Sequence, residues 1–460
     1  MSETTHFIGI GGTGLSAIAR VLLERGEAIS GSDREESPLA AMLRQAGVRV
    51  SIGHAAANIN GATRVVRSSA IGDDNVEVQA ARAKGIPVYK RSEFLEQLLA
   101  DQQVIAVAGS HGKTTTTAML AWLLSALNQR PGYIIGSVAA NLGANAAAGA
   151  GRLFVIEADE YDYMFLGLNP AIALVTNVEH DHPDMFSSPQ VFQVAFERFV
   201  DRLQPDGELI ACADDRGAAA LIAYAAKNGH KASGYAYSHI EDAQYRMEII
   251  STDGAGYHFV MLRGSSELAQ VQLQVPGMHN ALNALGALAV ADKLGLNLHE
   301  AALALADFRG TSRRFEVRGV AAGVTVVDDY AHHPSEIRTT LEAARARYAG
   351  QRIVAVWQPH TYSRTLTLAQ DYENAFEAAD RLFVTEVYAA REPRPPYFDL
   401  WQVVANIPRS AFTPTFAQTQ QALLQQLLPG DVLVVMSAGD AIQLSADVFA
   451  ALQAKENQDA

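Results

Sequence analysis

Short apolar runs alternate with longer segments of helical periodicity along almost the whole chain. The runs at residues 153–156, 171–176 and 353–357 predict buried strands, because each is short and ends abruptly at polar residues. Apolar positions spaced three and four apart predict helices at residues 15–25 and 279–295. A regular succession of strands and helices is typical of parallel sheets covered by helices, so we predict an α/β fold.

Two breaks in this rhythm divide the chain into three α/β units. A helical pattern at residues 91–100 ends just before the apolar run at 104–108. The pattern of apolar and polar residues changes again near residue 311. Residues 245–275 alternate between apolar and polar positions, which predicts an antiparallel element in the middle unit. Since 460 residues are too many for one core, we expect each unit to be a domain. The predicted domains are residues 1–100, 101–311 and 312–460.

Polar residues gather where two predicted strands of the middle domain end. E-A-D-E-Y-D follows residues 153–156, and N-V-E-H-D-H-P-D follows residues 171–176. Ligands of open α/β sheets bind beyond the carboxyl ends of the strands, so these side chains are expected to meet at one site. Oxygen ligands together with imidazole are suited to Mg²⁺ that bridges a phosphate and a second substrate. Any single acid here could equally be a helix cap or a solvated loop charge.

The third domain repeats this arrangement with different residue types. D-D-Y-A-H-H-P, Q-P-H-T-Y-S-R and E-V-Y-A-A-R each follow a predicted strand. Histidine, tyrosine and arginine at three successive strand ends predict a pocket for a small polar substrate. Because arginine binds carboxylates with two parallel hydrogen bonds, that substrate is expected to carry a carboxylate.

Residues 104–117, V-I-A-V-A-G-S-H-G-K-T-T-T-T, predict a phosphate-binding loop. An apolar strand leads into a turn bounded by Gly109 and Gly112, and a helix begins at Lys113. Glycines let backbone N–H groups approach phosphate oxygens, Lys113 adds a positive charge, and the hydroxyl of Thr114 can contact Mg²⁺. Val107 stands where the usual pattern has its first glycine, so this loop is a shortened variant.

A second phosphate-binding pattern lies at the amino terminus. Gly9, Gly11 and Gly14 match G-x-G-x-x-G between a strand and a helix, and Asp33 follows nineteen positions after Gly14. This pattern predicts a dinucleotide or nucleoside-diphosphate site, with Asp33 near a ribose. An NAD enzyme is the default interpretation of this loop alone. Two separate phosphate sites argue against a simple dehydrogenase.

Composition narrows the class further. The formal charge of −14 argues against a nucleic-acid or anionic-membrane surface, so anionic ligands must be held by local groups. The single cysteine, Cys212, excludes an internal disulfide and fits a reducing compartment. We find neither a leader peptide nor an apolar stretch of about twenty residues. A soluble, cytoplasmic protein is expected.

In sequence order, the chain carries G-I-G-G-T-G, G-S-H-G-K-T-T-T, E-A-D-E-Y-D, E-H-D-H-P-D, P-G-M-H-N-A-L-N-A, R-R-F-E, D-D-Y-A-H-H-P and Q-P-H-T-Y-S-R-T. This series, which spans nearly the whole chain, resembles the Mur ligases, the ATP-dependent ligases of peptidoglycan precursor synthesis. The last two motifs are most similar to the branch that joins L-alanine to UDP-N-acetylmuramate through an acyl phosphate. The resemblance implies a Rossmann-like UDP-binding domain, a central P-loop ATPase domain with a mostly parallel sheet, and a Rossmann-like carboxyl-terminal domain.

The resemblance also implies a role for each motif, with ATP as co-substrate and Mg²⁺ as cofactor. The implied UDP-sugar contacts are Gly11, Gly12, Thr13, Gly14, Ser32, Asp33 and Ser69. The implied ATP contacts are Gly109, Ser110, His111, Gly112, Lys113, Thr114, Thr115, Asn280, Asn283, Arg314 and Asp329. The implied metal ligands are Thr114, Glu157 and His182. The implied amino-acid contacts are Tyr330, His332, Arg364 and Arg391, and the implied catalytic residues are Lys113, His332 and Arg364.

Three departures from the family pattern leave alternatives open. Thr361 stands where the alanine-adding branch commonly has an arginine, and no lysine follows His182 before Lys227 to serve as a carbamylated metal ligand. E-Y-D-Y-M-F and E-H-D-H-P-D-M-F are closer to the ligase that recycles a whole tripeptide onto the same UDP-sugar. An NAD-dependent oxidoreductase and a P-loop regulatory ATPase are the alternatives from other classes. A monomer or homodimer with small-molecule substrates is expected.

Overall fold

The computed structural model describes residues 3–237, 243–390 and 392–459, which form three separate sheets. Most strand pairs in all three sheets are parallel, and helices cover the sheet faces. The predicted α/β class is therefore confirmed. The predicted strands at 153–156, 171–176 and 353–357 are present, and so is the antiparallel element at 245–275.

The amino-terminal sheet has five parallel strands in the order β3-β2-β1-β4-β5. The glycine turn lies at the carboxyl end of the central strand, β1, where a parallel sheet presents its ligand site. The elements are β1 (Thr4–Ile8), α1 (Thr13–Glu24), β2 (Ala28–Asp33), α2 (Pro38–Gln45), β3 (Arg49–Ile52), β4 (Arg64–Arg67), α3 (Val76–Ala83), β5 (Val88–Lys90) and α4 (Arg91–Leu98).

The central sheet has ten strands in the order β15-β14-β13-β12-β11-β10-β6-β9-β7-β8. Strands β13 to β15 and the pair β7–β8 are antiparallel, while the middle of the sheet is parallel. Its first elements are β6 (Gln103–Ala108), α5 (Lys113–Ala126), β7 (Gly132–Ala139), β8 (Ala144–Ala147), β9 (Leu153–Glu157), a 3-10 helix (Tyr161–Gly167), β10 (Ile172–Val175) and α6 (Pro189–Val200). The others are β11 (Glu208–Cys212), α7 (Arg216–Lys227), β12 (Lys231–Ala236), β13 (Tyr245–Thr252), β14 (Tyr257–Arg263), β15 (Ser266–Leu273), α8 (Met278–Lys293) and α9 (Leu298–Ala306).

The carboxyl-terminal sheet has six strands in the order β16-β17-β21-β18-β19-β20, and only the β16–β17 pair is antiparallel. Its first elements are β16 (Glu316–Ala321), β17 (Val324–Asp329), α10 (Pro334–Arg347), β18 (Ile353–Gln358), α11 (Tyr362–Thr367) and α12 (Ala369–Tyr372). The others are β19 (Arg381–Val384), α13 (Trp401–Val404), β20 (Ser410–Phe412), α14 (Phe416–Gln426), β21 (Val432–Ser437) and α15 (Ile442–Asp459). The proposed domain boundaries fall between α4 and β6 and between α9 and β16.

One apolar core joins the amino-terminal and central parts of the chain. Leu15 and Leu22 of α1 and Phe94 of α4 belong to the same buried cluster as Phe154 of β9 and Phe165 of the 3-10 helix. Helix α1 packs on β7 and β8, and α4 packs on the 3-10 helix. These two parts are therefore held together by burial of apolar surface.

The carboxyl-terminal part meets the central part through polar contacts instead. Its two apolar clusters contain only residues from 315 to 452. Across the boundary, Arg364 donates to Asp181 at 2.8 Å, and the Ser335 hydroxyl donates to Glu179 at 2.6 Å. This polar boundary contains the candidate site.

Candidate active site

The predicted phosphate-binding loop joins β6 to α5, and two of its glycines are required by their surroundings. Gly109 and Gly112 both have positive φ, at +140° and +80°. A Cβ atom on Gly109 would lie 2.0 Å from the Thr176 hydroxyl, and one on Gly112 would lie 2.9 Å from the Asn283 side-chain oxygen. Because α5 begins at Lys113, the first N–H groups of that helix are available to an anion.

Lys113 is held in place by the loop and by one buried carboxylate. Its Nζ donates to the Gly109 carbonyl at 2.6 Å and to Glu160 Oε2 at 2.7 Å, and Glu160 is fully buried. Burial opposes the charge on Lys113, but Glu160 and Asp159 outweigh it and raise the pKa of the ammonium. The cation is therefore ordered before any phosphate arrives.

The three predicted metal ligands, Thr114, Glu157 and His182, line one cavity of about 680 Å³. The Thr114 hydroxyl donates to Glu157 Oε1 at 3.0 Å, and the Gly136 N–H donates to Glu157 Oε2 at 2.6 Å. His182, from the loop after β10, has its Nε2 3.6 Å from Glu160 Oε1. The paired hydroxyl and carboxylate oxygens are the hard ligands that Mg²⁺ prefers.

A second cavity of about 720 Å³ lies on the other side of the loop. It is lined by seven of the predicted ATP contacts, which are His111, Gly112, Thr115, Asn280, Asn283, Arg314 and Asp329. Lys113, Thr114 and Ser110 line the 680 Å³ cavity instead, and Gly112 and Arg314 line both. Burial raises the pKa of Asp329 to about 6, against the opposing charge of Arg314.

The amino-terminal glycine turn reaches the 680 Å³ cavity through Thr13 and Gly14. The Gly11 N–H donates to Asp33 Oδ2 at 2.8 Å, so the predicted ribose contact also fixes the turn. The lining of this cavity includes none of the other five predicted UDP-sugar contacts, which are Gly11, Gly12, Ser32, Asp33 and Ser69. The predicted UDP-sugar contacts are thus only partly brought together in one place.

Ser32 is fully buried at the end of β2 and lines neither the 680 Å³ nor the 720 Å³ cavity. Its hydroxyl donates to Glu77 Oε2 at 2.6 Å, and Glu77 also accepts from the Asn58 amide at 2.6 Å. Burial alone would raise the pKa of Glu77, but hydrogen bonds from His6, Ser32 and Asn58 lower it to about 2. Glu77 therefore stays ionised and anchors the strand that carries Ser32 and Asp33.

The predicted amino-acid contacts of the carboxyl-terminal part lie on the opposite wall of the 680 Å³ cavity, where Tyr330, His332 and Arg364 all line it. Arg364 is only 2% exposed, and besides Asp181 its Nη1 lies 2.9 Å from His360 Nδ1. A substrate carboxylate must therefore exchange with Asp181 to bind Arg364. Arg391, the fourth predicted contact, lies outside the described residues.

His332 is one of the histidines that line the 680 Å³ cavity. Its Nδ1 lies 3.0 Å from the Tyr330 carbonyl. Burial and the nearby charge of Arg364 hold the pKa of His332 well below its usual value. The ring is therefore neutral near pH 7 and retains a lone pair.

Family comparisons agree with the three sheets. The chain matches the Mur ligase family, catalytic domain, over residues 4–103, the Mur ligase middle domain over 107–291, and the Mur ligase, glutamate ligase domain, over 313–439. A curated protein from Renibacterium salmoninarum, UDP-N-acetylmuramate–L-alanine ligase, is 43% identical over 449 residues, covering 97% of this chain and 95% of its own. The chain belongs to the Mur ligase family.

Two solved Mur ligase structures show how closely the architecture corresponds. UDP-N-acetylmuramate–alanine ligase from Thermotoga maritima has a TM-score of 0.82 at 28% identity, covering 99% of this chain and all of that one. Murein peptide ligase from Psychrobacter arcticus has a TM-score of 0.73 at 27% identity, covering 98% and 99%. The predicted family and three-domain fold class are confirmed. No helix in the described part of this Mur ligase is long and apolar enough to cross a membrane.

Three residues that shape the site are not predicted from the sequence. Arg91 lies close against Gly14 and 3.2 Å from Asp159, and it lines the 680 Å³ cavity. Glu336 lies 3.3 Å from both His111 and Arg314, whereas its place three residues into α10 indicates only a helix cap. His279 lines the 720 Å³ cavity with Nδ1 unpartnered, and burial lowers its pKa to about 4.

Proposed function

We propose that this Mur ligase joins L-alanine to the lactyl carboxylate of UDP-N-acetylmuramate and forms ADP and phosphate. The observation that carries the proposal is the 680 Å³ cavity, whose walls come from all three parts of the chain. Thr13 and Gly14 represent the glycine turn, Lys113 the phosphate-binding loop, and His332 the carboxyl-terminal part. A UDP-sugar, a phosphoryl group and an amine can meet there.

Joining a carboxylate to an amine requires that the carboxylate first be activated. In the proposed reaction, the lactyl carboxylate attacks the γ-phosphorus of ATP, and ADP leaves to give an acyl phosphate. The deprotonated amine of L-alanine then attacks the acyl carbon, and phosphate leaves as the amide forms. Lys113 is placed to neutralise charge on the transferred phosphoryl group, a contribution of position and electrostatics.

We assign Thr114, Glu157 and His182 to Mg²⁺, because the donor set fits and lines the cavity beside Lys113. When bound, Mg²⁺ neutralises charge on the phosphate oxygens. Gly136 N–H holds the Glu157 carboxylate from behind, which keeps its other oxygen directed at Thr114.

His332 and Arg364 are assigned to the amino acid. The neutral His332 ring can receive the proton that the alanine ammonium must lose before attack. Arg364 binds the alanine carboxylate after that carboxylate displaces Asp181. Because Thr361 stands where the family branch commonly has an arginine, Arg364 is the only arginine of the motif Q-P-H-T-Y-S-R.

Tripeptide recycling onto the same UDP-sugar is the second candidate, favoured by the murein peptide ligase likeness at a TM-score of 0.73. The alanine reaction is preferred because relatives named for it reach 43% identity over nearly the full length. We further propose cytoplasmic action as a monomer or homodimer on small-molecule substrates.

Phosphate release from ATP and Mg²⁺ tests the proposal. Each reaction is run with and without UDP-N-acetylmuramate, and L-alanine, glycine, L-serine or the tripeptide is added singly. We expect release only with UDP-sugar and amino acid together, fastest with L-alanine. Faster release with tripeptide would replace the proposal by the recycling reaction. Release indifferent to the UDP-sugar would indicate a regulatory ATPase, and a nicotinamide fluorescence change on titration would indicate an oxidoreductase.

A further inference from the structure

A histidine–carboxylate–histidine cluster lies beside the phosphate-binding loop, apart from the residues assigned to Mg²⁺. His111 comes from the loop, Glu179 from the segment after β10, and His333 from the amino-terminal end of α10. One ligand atom from each side chain lies within 4.8 Å of the other two. Two of these residues belong to the central part and one to the carboxyl-terminal part.

His333 supplies an independent indication of a ligand. The side chain is 3% exposed, and its Nε2 has no hydrogen-bond partner. The other ring nitrogen, Nδ1, accepts only a long contact of 3.4 Å from the Ser335 N–H at the start of α10. Because an unpaired buried nitrogen is destabilising, a partner for Nε2 is expected.

His111 is already oriented as a metal-binding histidine. Its Nδ1 lies 3.3 Å from Glu336 Oε1, and its Nε2 lies 3.2 Å from Glu179 Oε2. Glu336 on Nδ1 fixes the ring, and a metal ion that displaces the proton from Nε2 meets Nε2 and Glu179 together. Glu179 is fixed in turn by the Ser335 hydroxyl at 2.6 Å on its other oxygen.

We propose that His111, Glu179 and His333 bind one divalent transition-metal ion of the Zn²⁺ type across the boundary between the central and carboxyl-terminal parts. Two imidazoles and one carboxylate suit Zn²⁺ far better than Mg²⁺. Tetrahedral Zn²⁺ places its ligand atoms about 3.3 Å apart, so closure needs side-chain movements of less than about 1.5 Å. His333 then carries its proton on Nδ1 and gives up the long contact to Ser335.

The bound ion ties the phosphate-binding loop to the first turn of α10. Both His111 and Glu179 line the 720 Å³ cavity, and so do Ser335 and Glu336 of the α10 turn that follows His333, so the ion joins residues from two parts of the chain beside that cavity. Occupancy is therefore expected to stabilise the closed arrangement of the two parts and to slow turnover that requires them to separate.

Calorimetric titration of the full-length protein with ZnCl₂ tests the site, in the absence of nucleotide because ATP itself binds Zn²⁺. We expect one Zn²⁺ per chain that excess Mg²⁺ does not displace, and visible absorption of bound Co²⁺ typical of low coordination number. His333→Asn keeps a cap acceptor for α10 but removes Nε2, and we expect it to weaken binding at least about tenfold. The exposed His299→Asn is the matched control and is expected to bind as wild type.

Glu179→Gln is a second variant that leaves the α10 cap unchanged. It tests Zn²⁺ binding at the cluster even if His333→Asn fails to fold. We expect a similar loss of affinity, together with loss of the Zn²⁺-dependent rise in Tm. Wild-type affinity in both variants, or no Zn²⁺ bound to wild type, would overturn the proposal. Loss of binding in His182→Asn but not in His333→Asn would place the ion at the residues assigned to Mg²⁺ instead.

Discussion

The central part meets its two neighbours through boundaries of different chemistry, one apolar and one polar. Toward the amino terminus, one apolar cluster runs continuously from α1 and α4 into β9 and the 3-10 helix. Toward the carboxyl terminus, the described contacts include charged and polar pairs such as Arg364–Asp181 and His111–Glu336, and no apolar cluster of the described residues crosses. Both boundaries enclose the same 680 Å³ cavity.

This difference indicates which boundary can open. Separating an apolar boundary exposes surface to water at roughly 25 cal/mol per Å², with nothing to offset it. Polar pairs can exchange their partners for water or for a substrate at small net free energy. We infer that the amino-terminal and central parts move as one body and that the carboxyl-terminal part closes over them.

The largest expected effect separates the two phosphate sites. Lys113→Ala should reduce phosphate release by at least about 10³-fold, because it removes the cation that neutralises the transferred group. Binding of UDP-N-acetylmuramate, measured by calorimetry, should persist, since Thr13 and Gly14 lie on a different element.

The variant also leaves Glu160 buried without its cation, so Lys113→Ala/Glu160→Gln serves as the folding control. Loss of UDP-sugar binding in the well-folded double variant would show that the two phosphate sites are not independent.

The next effect concerns the apolar boundary. Gly167 of the 3-10 helix lies so close to α4 that an added Cβ would be 2.3 Å from the Ser92 carbonyl oxygen. Gly167→Ala should lower the free energy of unfolding by roughly 2–3 kcal/mol, measured by urea denaturation. Gly234→Ala, whose Cβ would meet the flexible end of Ile222 at 3.3 Å, should lose much less. Equal losses of stability in the two variants would mean that the apolar boundary accommodates an added Cβ as easily as strand β12 does.

A smaller effect on stability is expected at the polar boundary. Asp181→Asn removes the carboxylate partner of buried Arg364, which in a rigid interior would destabilise by about 3–5 kcal/mol. Because this boundary can open and hydrate Arg364, we expect a loss of about 1 kcal/mol or less, with a larger radius of gyration in X-ray scattering.

Asp184→Asn, an exposed acid in the same loop, is the control and should change neither quantity. If Asp181→Asn lost about 3–5 kcal/mol of stability without an increase in the radius of gyration, the inference that this boundary opens would be refuted.

The smallest effect is a pH dependence confined to the polar boundary. Burial lowers the pKa of His111, but Glu336 and Glu179 outweigh it and raise the pKa to about 10, while His333 packs on its ring. A raised pKa means that the stabilisation is complete below about pH 6.5 and is lost as pH rises toward 10. Scattering should therefore show slight expansion between about pH 6 and pH 9.5, absent in His111→Asn.

The amino-terminal network should not respond over this range. Its buried carboxylate, Glu77, has a pKa of about 2 and remains ionised throughout. Equal pH sensitivity of amide exchange in β2 and in α10 would contradict the contrast between the two boundaries.

The sequence predicts the secondary-structure elements and the motifs better than it predicts which distant residues come into contact. Polar strand ends predict that the segments carrying Glu157 and His182 meet, because parallel strands present their carboxyl ends together, and both residues line one cavity. The pair Arg364–Asp181 joins residues 183 positions apart, and no local pattern encodes such a contact. Ser32 shows another limit, since its place beside Asp33 on β2 does not reveal that its hydroxyl donates to Glu77.

Gly112 and Arg314 line both cavities, so the phosphate-binding loop lies between the cavity proposed for the nucleotide and the cavity proposed for the UDP-sugar and the amino acid. Phosphoryl transfer needs the incoming and departing oxygens on opposite sides of phosphorus. In the proposed reaction the carboxylate and ADP lie on opposite sides of this loop, which is the alignment that in-line transfer requires.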